Sequence, residues 1–197
     1  LKYTALRLIR EEHRSLAAVI RAAEHVVEKA ASTGKRPDFK LLRAILYYLR
    51  EFPERRHHPN EDRLLFRRIK SRTHDADAVI AELEDEHQRG EMLLQRLATA
   101  LGNWEADTAE GRKEFADALS IFSTFYWAHM DKEERRVLPV AERALTSEDW
   151  HEIQTGFESH QDPMFGEDTA DEFRRLFSRI MRLAPSESDQ AGESTTR

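Results

Sequence analysis

The chain has 197 residues, 40% hydrophobic and 35% charged, with a formal net charge of -6. That length suits one domain able to bury roughly 70% of its unfolded surface, and the acidic balance gives no general pull toward nucleic acid or an anionic membrane. Zero Cys removes disulfides, thiolate metal sites and cysteine nucleophiles together, and seven Gly with six Pro are few for a sheet-rich fold.

The first predicted helix runs from about Tyr3 to Ser32 and stops at Gly34, with Pro37 beyond. Its inward stripe is Leu6, Ile9, His13, Leu16, Ile20, Ala23 and Val27. His13 thus stands where an apolar residue belongs, whereas His25 falls off that face. A second helix starts at Asp38 as N-cap and carries Leu42, Ile45, Leu46 and Leu49 inward. Pro53 and Pro59 interrupt it before the pattern resumes through Glu61, Leu65 and Ile69. A proline inside a helix removes a backbone bond and bends the rod, so a kink or short break is expected over residues 52–59, bringing His57 toward the axis.

The third helix follows Thr73-His74, with Asp75 as its cap, and runs to about Leu101. Ile80, Leu83, His87, Glu91, Leu94 and Leu97 share its inner face. Gly90 costs about 1 kcal/mol against Ala in a helix interior, a cost that a close helix approach or a ligand path would explain. After Gly102-Asn103 and a polar loop through Gly111, a fourth helix runs to about Leu145 with Ala118, Phe122, Phe125, His129, Glu133, Val137 and Val140 inward. Thr146 to Asp149 has the form of a capping box and opens a shorter helix through about Ser159.

Asp162 to Gly166 is turn-rich, and Thr169 to Leu183 forms a last amphipathic pattern with Phe173, Leu176, Phe177 and Ile180 inward. From Pro185 to Arg197 the chain has almost nothing apolar and is expected to be disordered. The expected fold is all-α: an antiparallel up-down four-helix bundle with one or two additional C-terminal helices, one domain over residues 1–184. No apolar run approaches the ~20 residues of a membrane helix, and Leu1-Lys2-Tyr3-Thr4 does not read as a signal peptide. A reducing cytoplasm is the expected location.

Each long helix carries one imidazole mid-stripe, namely His13, His57, His87 and His129. Two add a carboxylate one turn on, as His57-x-x-x-Glu61 and His129-x-x-x-Glu133. A buried histidine alone is commonly a hydrogen-bonded core residue, but an up-down bundle brings four helix middles to one level. Burying unpaired carboxylates there costs several kcal/mol, which a bound cation removes. Imidazole and carboxylate without thiolate suit iron, manganese, nickel or zinc rather than calcium or magnesium. Four His and two Glu exceed one tetrahedral zinc and suit two octahedral ions bridged by both carboxylates. Of roughly twelve positions, an oxo or hydroxo bridge would take two and leave roughly two open.

In this order, the motifs resemble those of the hemerythrin-like group, the HHE cation-binding domains. The resemblance rests on Glu12-His13-Arg14, His57-His58-Pro59 with Glu61-Asp62, Glu86-His87 with Gly90-Glu91, and His129 with Glu133-Glu134 before Leu138-Pro139. It spans Leu6 to about Leu145, and the Asp162 to Phe165 loop with the final helix is similar to an extension seen in bacterial members. The resemblance implies a non-haem di-iron centre (two Fe with an oxo or hydroxo bridge, ahead of Mn or Zn) that binds, senses or reacts with O2, NO or peroxide. Weak peroxide-decomposing or oxidase activity is the enzymatic form of that expectation.

Oxygen-carrying relatives have a second His one turn after the third-helix His, where this chain has Glu91. The expectation is that Glu91 reaches the iron of His87 and disfavours reversible oxygen carriage. Adjacent helix residues point about 100° apart, so His57 and His58 cannot both face the axis equally; only His57 has a Glu at the spacing of the His129 motif, so His57 is taken as the inward residue and His58 is left either behind the ligands or at the surface. The competing assignment is a ferritin-like carboxylate oxidase or iron-handling site built on Glu54-x-x-His57 and Glu84-x-x-His87, which leaves His13 and His129 without a role. A metal-free helical interaction protein is the third class, and it requires the buried His and Glu to satisfy one another.

Overall fold

The structure is a computed structural model describing residues 2–159 and residue 178. The expected Asp162–Gly166 loop, the last helix (apart from Ser178, which is helical), His160 and the tail lie outside the described residues. The described residues contain helix and no strand. In chain order these are α1 (Lys2–Thr33), α2 (Phe39–Leu49), α3 (His58–Asn60), α4 (Arg67–Arg72), α5 (Asp77–Glu105), α6 (Gly111–Lys132), α7 (Leu138–Ala144) and α8 (Ser147–Glu158).

Three π-helical segments join some of these end to end: Arg50–His57 and Glu61–Phe66 link α2, α3 and α4 into one rod over 39–72. Glu133–Val137 links α6 and α7 into another over 111–144. The break expected over 52–59 is therefore a widening and not an interruption. Its cause is proline, whose ring collides with the carbonyl four residues back. Moving that carbonyl aside leaves bonds to the fifth residue back, the π pattern. The residue before each of two prolines makes this bond: His58 N–H donates to Pro53 O, and Leu138 N–H to Glu133 O. A widened turn also reduces the divergence of adjacent side chains, so His57 and His58 are both buried.

Local chemistry sets most ends. Asp38 caps α2 by accepting from Leu41 N at 3.1 Å. Gly34 takes φ +66 just past α1, a left-handed conformation that costs glycine nothing. Asp75 is not the cap expected of it: α5 begins at Asp77, and Asp75 instead donates its N–H to Thr73 Oγ1. The same helix runs past the expected stop to Glu105, because Trp104 is buried against Phe39 and Phe115.

α5 and α6 lie side by side with reversed ends. Asn103 bonds Glu114 near their connection, and Lys132 bonds Glu82 at the far ends. The N-terminal turns of α1 meet Glu142 of α7, and Arg21 covers Trp127 of α6. The apolar interior is split in two. One cluster takes Leu16, Ile20, Ile45, Leu49, Leu97, Phe115 and Phe122 among others. The second takes Leu6, Ile9, Phe66, Ile80, Leu83, Val137, Leu138 and the inner face of α8. Between them, at the middle of every long rod, lies a layer of buried polar side chains.

α8 closes the second cluster with Trp150, Ile153 and Phe157. Its capping box is complete: Thr146 Oγ1 accepts from Asp149 N, and Asp149 accepts from Thr146 N–H. Asp149 also accepts a two-pronged bond from Arg72, at 2.9 and 3.0 Å. Those bonds hold its carboxyl at about 2, below its usual 3.8. A depressed carboxylate contributes stability above the unfolded value and loses it as pH falls from about 4 through 2. Asp149→Ala is expected to cost about 2 kcal/mol at pH 7. In urea titrations the gap between variant and wild type should shrink toward pH 2, and a pH-independent gap would refute this role.

Candidate metal centre

The polar layer is made of His13 from α1, His57, His58 and Glu61 from the 39–72 rod, His87 from α5, and His129 and Glu133 from the 111–144 rod. All are at most 8% exposed. Glu61 and Glu133 sit at the centre and each divides its two oxygens between opposite sides. Glu61 Oε1 faces His57 Nε2 at 3.3 Å and His13 Nε2 at 3.8 Å, while its Oε2 faces His87 Nε2 at 3.6 Å. Glu133 Oε2 lies 3.2 Å from His13 Nε2, and its Oε1 lies 3.6 Å from His129 Nε2 and 3.9 Å from His87 Nε2. Two donor sets result, His13-His57-Glu61-Glu133 and Glu61-His87-His129-Glu133, each with one atom per residue within 4.8 Å of the others. The carboxylates are common to both.

The outer nitrogen of each of these four imidazoles meets a carboxylate on a neighbouring rod. Nδ1 of His13 lies 2.9 Å from Glu134, Nδ1 of His57 2.7 Å from Glu12, Nδ1 of His87 2.9 Å from Asp62, and Nδ1 of His129 3.1 Å from Glu86. An ionised carboxylate only accepts, so opposite Asp62, Glu86 and Glu134 the Nδ1 carries the proton, while burial raises Glu12 to about 8 and lets it share a proton with His57 Nδ1; with a cation in the layer each Nε2 would present its lone pair to it. This is how metal-binding histidines are oriented. The pattern is two-fold. Exchanging residues 12, 13, 57, 61 and 62 with 86, 87, 129, 133 and 134 maps every one of these contacts onto another.

A cation fits this donor set on an observation of its own. Nε2 of His13, His87 and His129, both nitrogens of His58, and both oxygens of Glu61 and Glu133 are buried without a hydrogen-bond partner. Each such atom costs about 1–3 kcal/mol if left so. Without a cation the layer is balanced by protons. Burial and then Glu133 raise the Glu61 carboxyl, while Glu133, despite burial, is held well below the usual range by His129, His13 and His87. Burial opposes charge on His87, yet Asp62, Glu133 and Glu61 raise it to about 10. His57, whose burial dominates, falls to about 4.

The six residues selected by spacing (His13, His57, Glu61, His87, His129 and Glu133) meet in one layer; Glu91 does not. It is exposed and belongs to neither donor set. Beside it, Glu54 and Tyr126 are bonded to each other and packed on Gly90. A Cβ at Gly90 would come within 2.9 Å of Glu54 Oε1 and 3.0 Å of Tyr126 Oη, the close approach that glycine permits here. Of the two places left open for His58, the structure removes the surface, since it is 3% exposed. The ferritin-like arrangement finds no support: Glu84 pairs with Lys70, and Glu54 with Tyr126. His74 and His151 are exposed. An open pocket lined by Glu54, His58, Asp62, His87 and Glu91 among others leads from solvent to one side of the layer.

The model of the hemerythrin HHE cation binding domain matches residues 4–141, a span containing every residue of the layer. Comparisons with curated proteins and with solved structures found no match.

Proposed function

The chain belongs to the hemerythrin HHE cation-binding domain family, and from that premise we propose that it is a non-haem di-iron protein that binds, senses or reacts with O2, NO or peroxide. The arrangement carrying this reading is the pair of donor sets joined by Glu61 and Glu133, each carboxylate offering one oxygen to either side. His13 and His57 would hold one ion, and His87 and His129 the other. Two iron ions with an oxo or hydroxo bridge would supply reversible one-electron chemistry and a site for a small exogenous ligand. The reversed ends of neighbouring rods support the up-down four-helix topology for this domain.

The chain's own residues do the rest. Glu12, Asp62, Glu86 and Glu134 fix the imidazole planes and raise their basicity. The two apolar clusters above and below exclude water from the carboxylates, which strengthens their hold on a cation. The pocket beside His87 admits a ligand of a few atoms. Its lining carboxylates favour neutral ligands or cations over anions.

The test is iron analysis with optical spectra before and after air, azide, NO and peroxide. About two iron per chain and ligand-sensitive charge-transfer absorption are expected. A protein that takes up no iron, or whose spectrum none of these ligands alters, refutes the reading. Glu91→Ala should keep the full iron content and spectrum, because Glu91 stands outside both donor sets; loss of an ion in that variant would mean that the helix turns further inward than described.

A further inference from the structure

Of the residues in the layer, His87 is the most exposed, and it lines the pocket that opens to solvent. That pocket holds about 460 Å3 and is walled by four carboxylates, Glu54, Asp62, Glu84 and Glu91. Two of them are already engaged: Glu84 accepts from Lys70 at 2.7 Å, and Asp62 from His87 Nδ1 at 2.9 Å. The other two form a graded pair. Glu91 is exposed at the rim and makes no hydrogen bond or ion pair among the described residues. Glu54 stands further in, with its side chain buried and held by the Tyr126 hydroxyl. Its Oε2 lies 3.8 Å from Nδ1 of His58. Both nitrogens of His58 are buried without a hydrogen-bond partner, and its ring stacks on His87 with centroids 4.2 Å apart. Arg50 and Arg55 share a neighbouring pocket with Glu54 and Glu91, yet neither pairs with them among the described residues, and Arg55 is bonded to Glu51.

We propose that this pocket is the path by which ferrous ion loads the layer, collected by Glu91 and handed inward by Glu54 to the end where His58 and His87 lie. This rests on the two-ion reading and adds how the ions arrive, whichever donors finally hold them. Water in the liquid takes roughly 30 Å3 per molecule, so a pocket of this volume admits an ion with its hydration shell. Carboxylate oxygens resemble water as donors and can replace that shell stepwise, whereas imidazole is the better match to iron. Donor type thus changes from oxygen to nitrogen along the path, and exposure falls in the same order. An unpaired carboxylate at the mouth of a cleft also concentrates cations there and raises the rate at which they enter. The unpartnered nitrogens at the inner end are what distinguish this wall from an ordinary solvated acidic surface.

Anaerobic mixing of metal-free protein with ferrous ion tests this, with the iron still open to a fast ferrous chelator sampled against time. Glu91→Gln should load about threefold more slowly than wild type, and Glu91→Lys roughly tenfold more slowly. Added salt should narrow the gap between them and wild type. Glu54→Gln, which keeps an acceptor for the Tyr126 hydroxyl, should also load slowly. All three should finish at the wild-type content of about two iron per chain. Glu28→Lys makes the same change of charge at an exposed position near the far end of α1, and it should load at the wild-type rate. A wild-type rate in Glu91→Lys or in Glu54→Gln overturns the route. So does a Glu28→Lys as slow as Glu91→Lys, which marks the general field of an acidic chain. Loss of an ion at the end point in Glu91→Gln also overturns it, since Glu91 would then be a ligand. A wild type that does not finish with two ions overturns the two-ion reading and this one with it, and it does so through the end point and not the rate.

Discussion

Glu133→Ala is expected to bind one iron or none where the wild type binds about two. The residue is 1% exposed, and its oxygens reach in opposite directions, to His13 on one side and to His129 and His87 on the other. Truncation therefore takes one donor from each set. It also removes half of the central negative charge, leaving four facing imidazoles with Glu61 as the one carboxylate among them. Glu61→Ala should behave alike, since its oxygens divide the same way. By contrast, loss of an outer carboxylate such as Glu134 should weaken binding by about 10–100-fold without changing the number of sites. Metal analysis after anaerobic loading separates the two cases. Full iron content in both Glu61→Ala and Glu133→Ala would sink the bridging role.

Removing the metal should lower the melting temperature by roughly 10 °C or more. A ligand present at 1,000 times its dissociation constant adds about 4 kcal/mol to folding. For a domain of this size, each kcal/mol moves the midpoint by about 2–4 °C. The physical source is the set of buried atoms in the layer that lack partners, which a cation satisfies and protons satisfy only in part. Calorimetry before and after chelation, with readdition of ferrous ion as the reverse arm, measures the shift. Equal midpoints would place the cation outside the core.

The helices and most of the layer were legible in the sequence because a polar residue on an apolar stripe is a local signal. His13, His57, Glu61, His87, His129 and Glu133 are each visible as exceptions to a 3.6-residue period, and all six meet. What was not legible depends on phase. A regular helix separates neighbours by about 100°, and on that rule His58 points away. The widened turns change the phase, and their signal was present as Pro53 and Pro59, five residues before and one after His58. Glu91 lies outside both donor sets, and spacing cannot tell that Glu54 and Tyr126 from two other rods pack on Gly90 beside it. The outer carboxylates lay beside the ligating positions all along. Their partners are on other rods, however, and nothing in the spacing says which carboxylate meets which imidazole.

The four imidazole–carboxylate contacts have a direction. α1 reaches the 111–144 rod through Glu134, that rod reaches α5 through Glu86, α5 reaches the 39–72 rod through Asp62, and that rod returns to α1 through Glu12. Such a circuit rewards completeness. When rods dock in chain order, the second and third each make one link, whereas the fourth makes two. The rod over 111–144 is the last of the four in the chain, and it also brings His129 and Glu133. A three-rod assembly thus has at most half of the links, and of Glu61 and Glu133 it holds Glu61 alone. Its grip on a cation would be correspondingly poor, so the layer is expected to bind a metal ion tightly once all four rods have docked in this cyclic order.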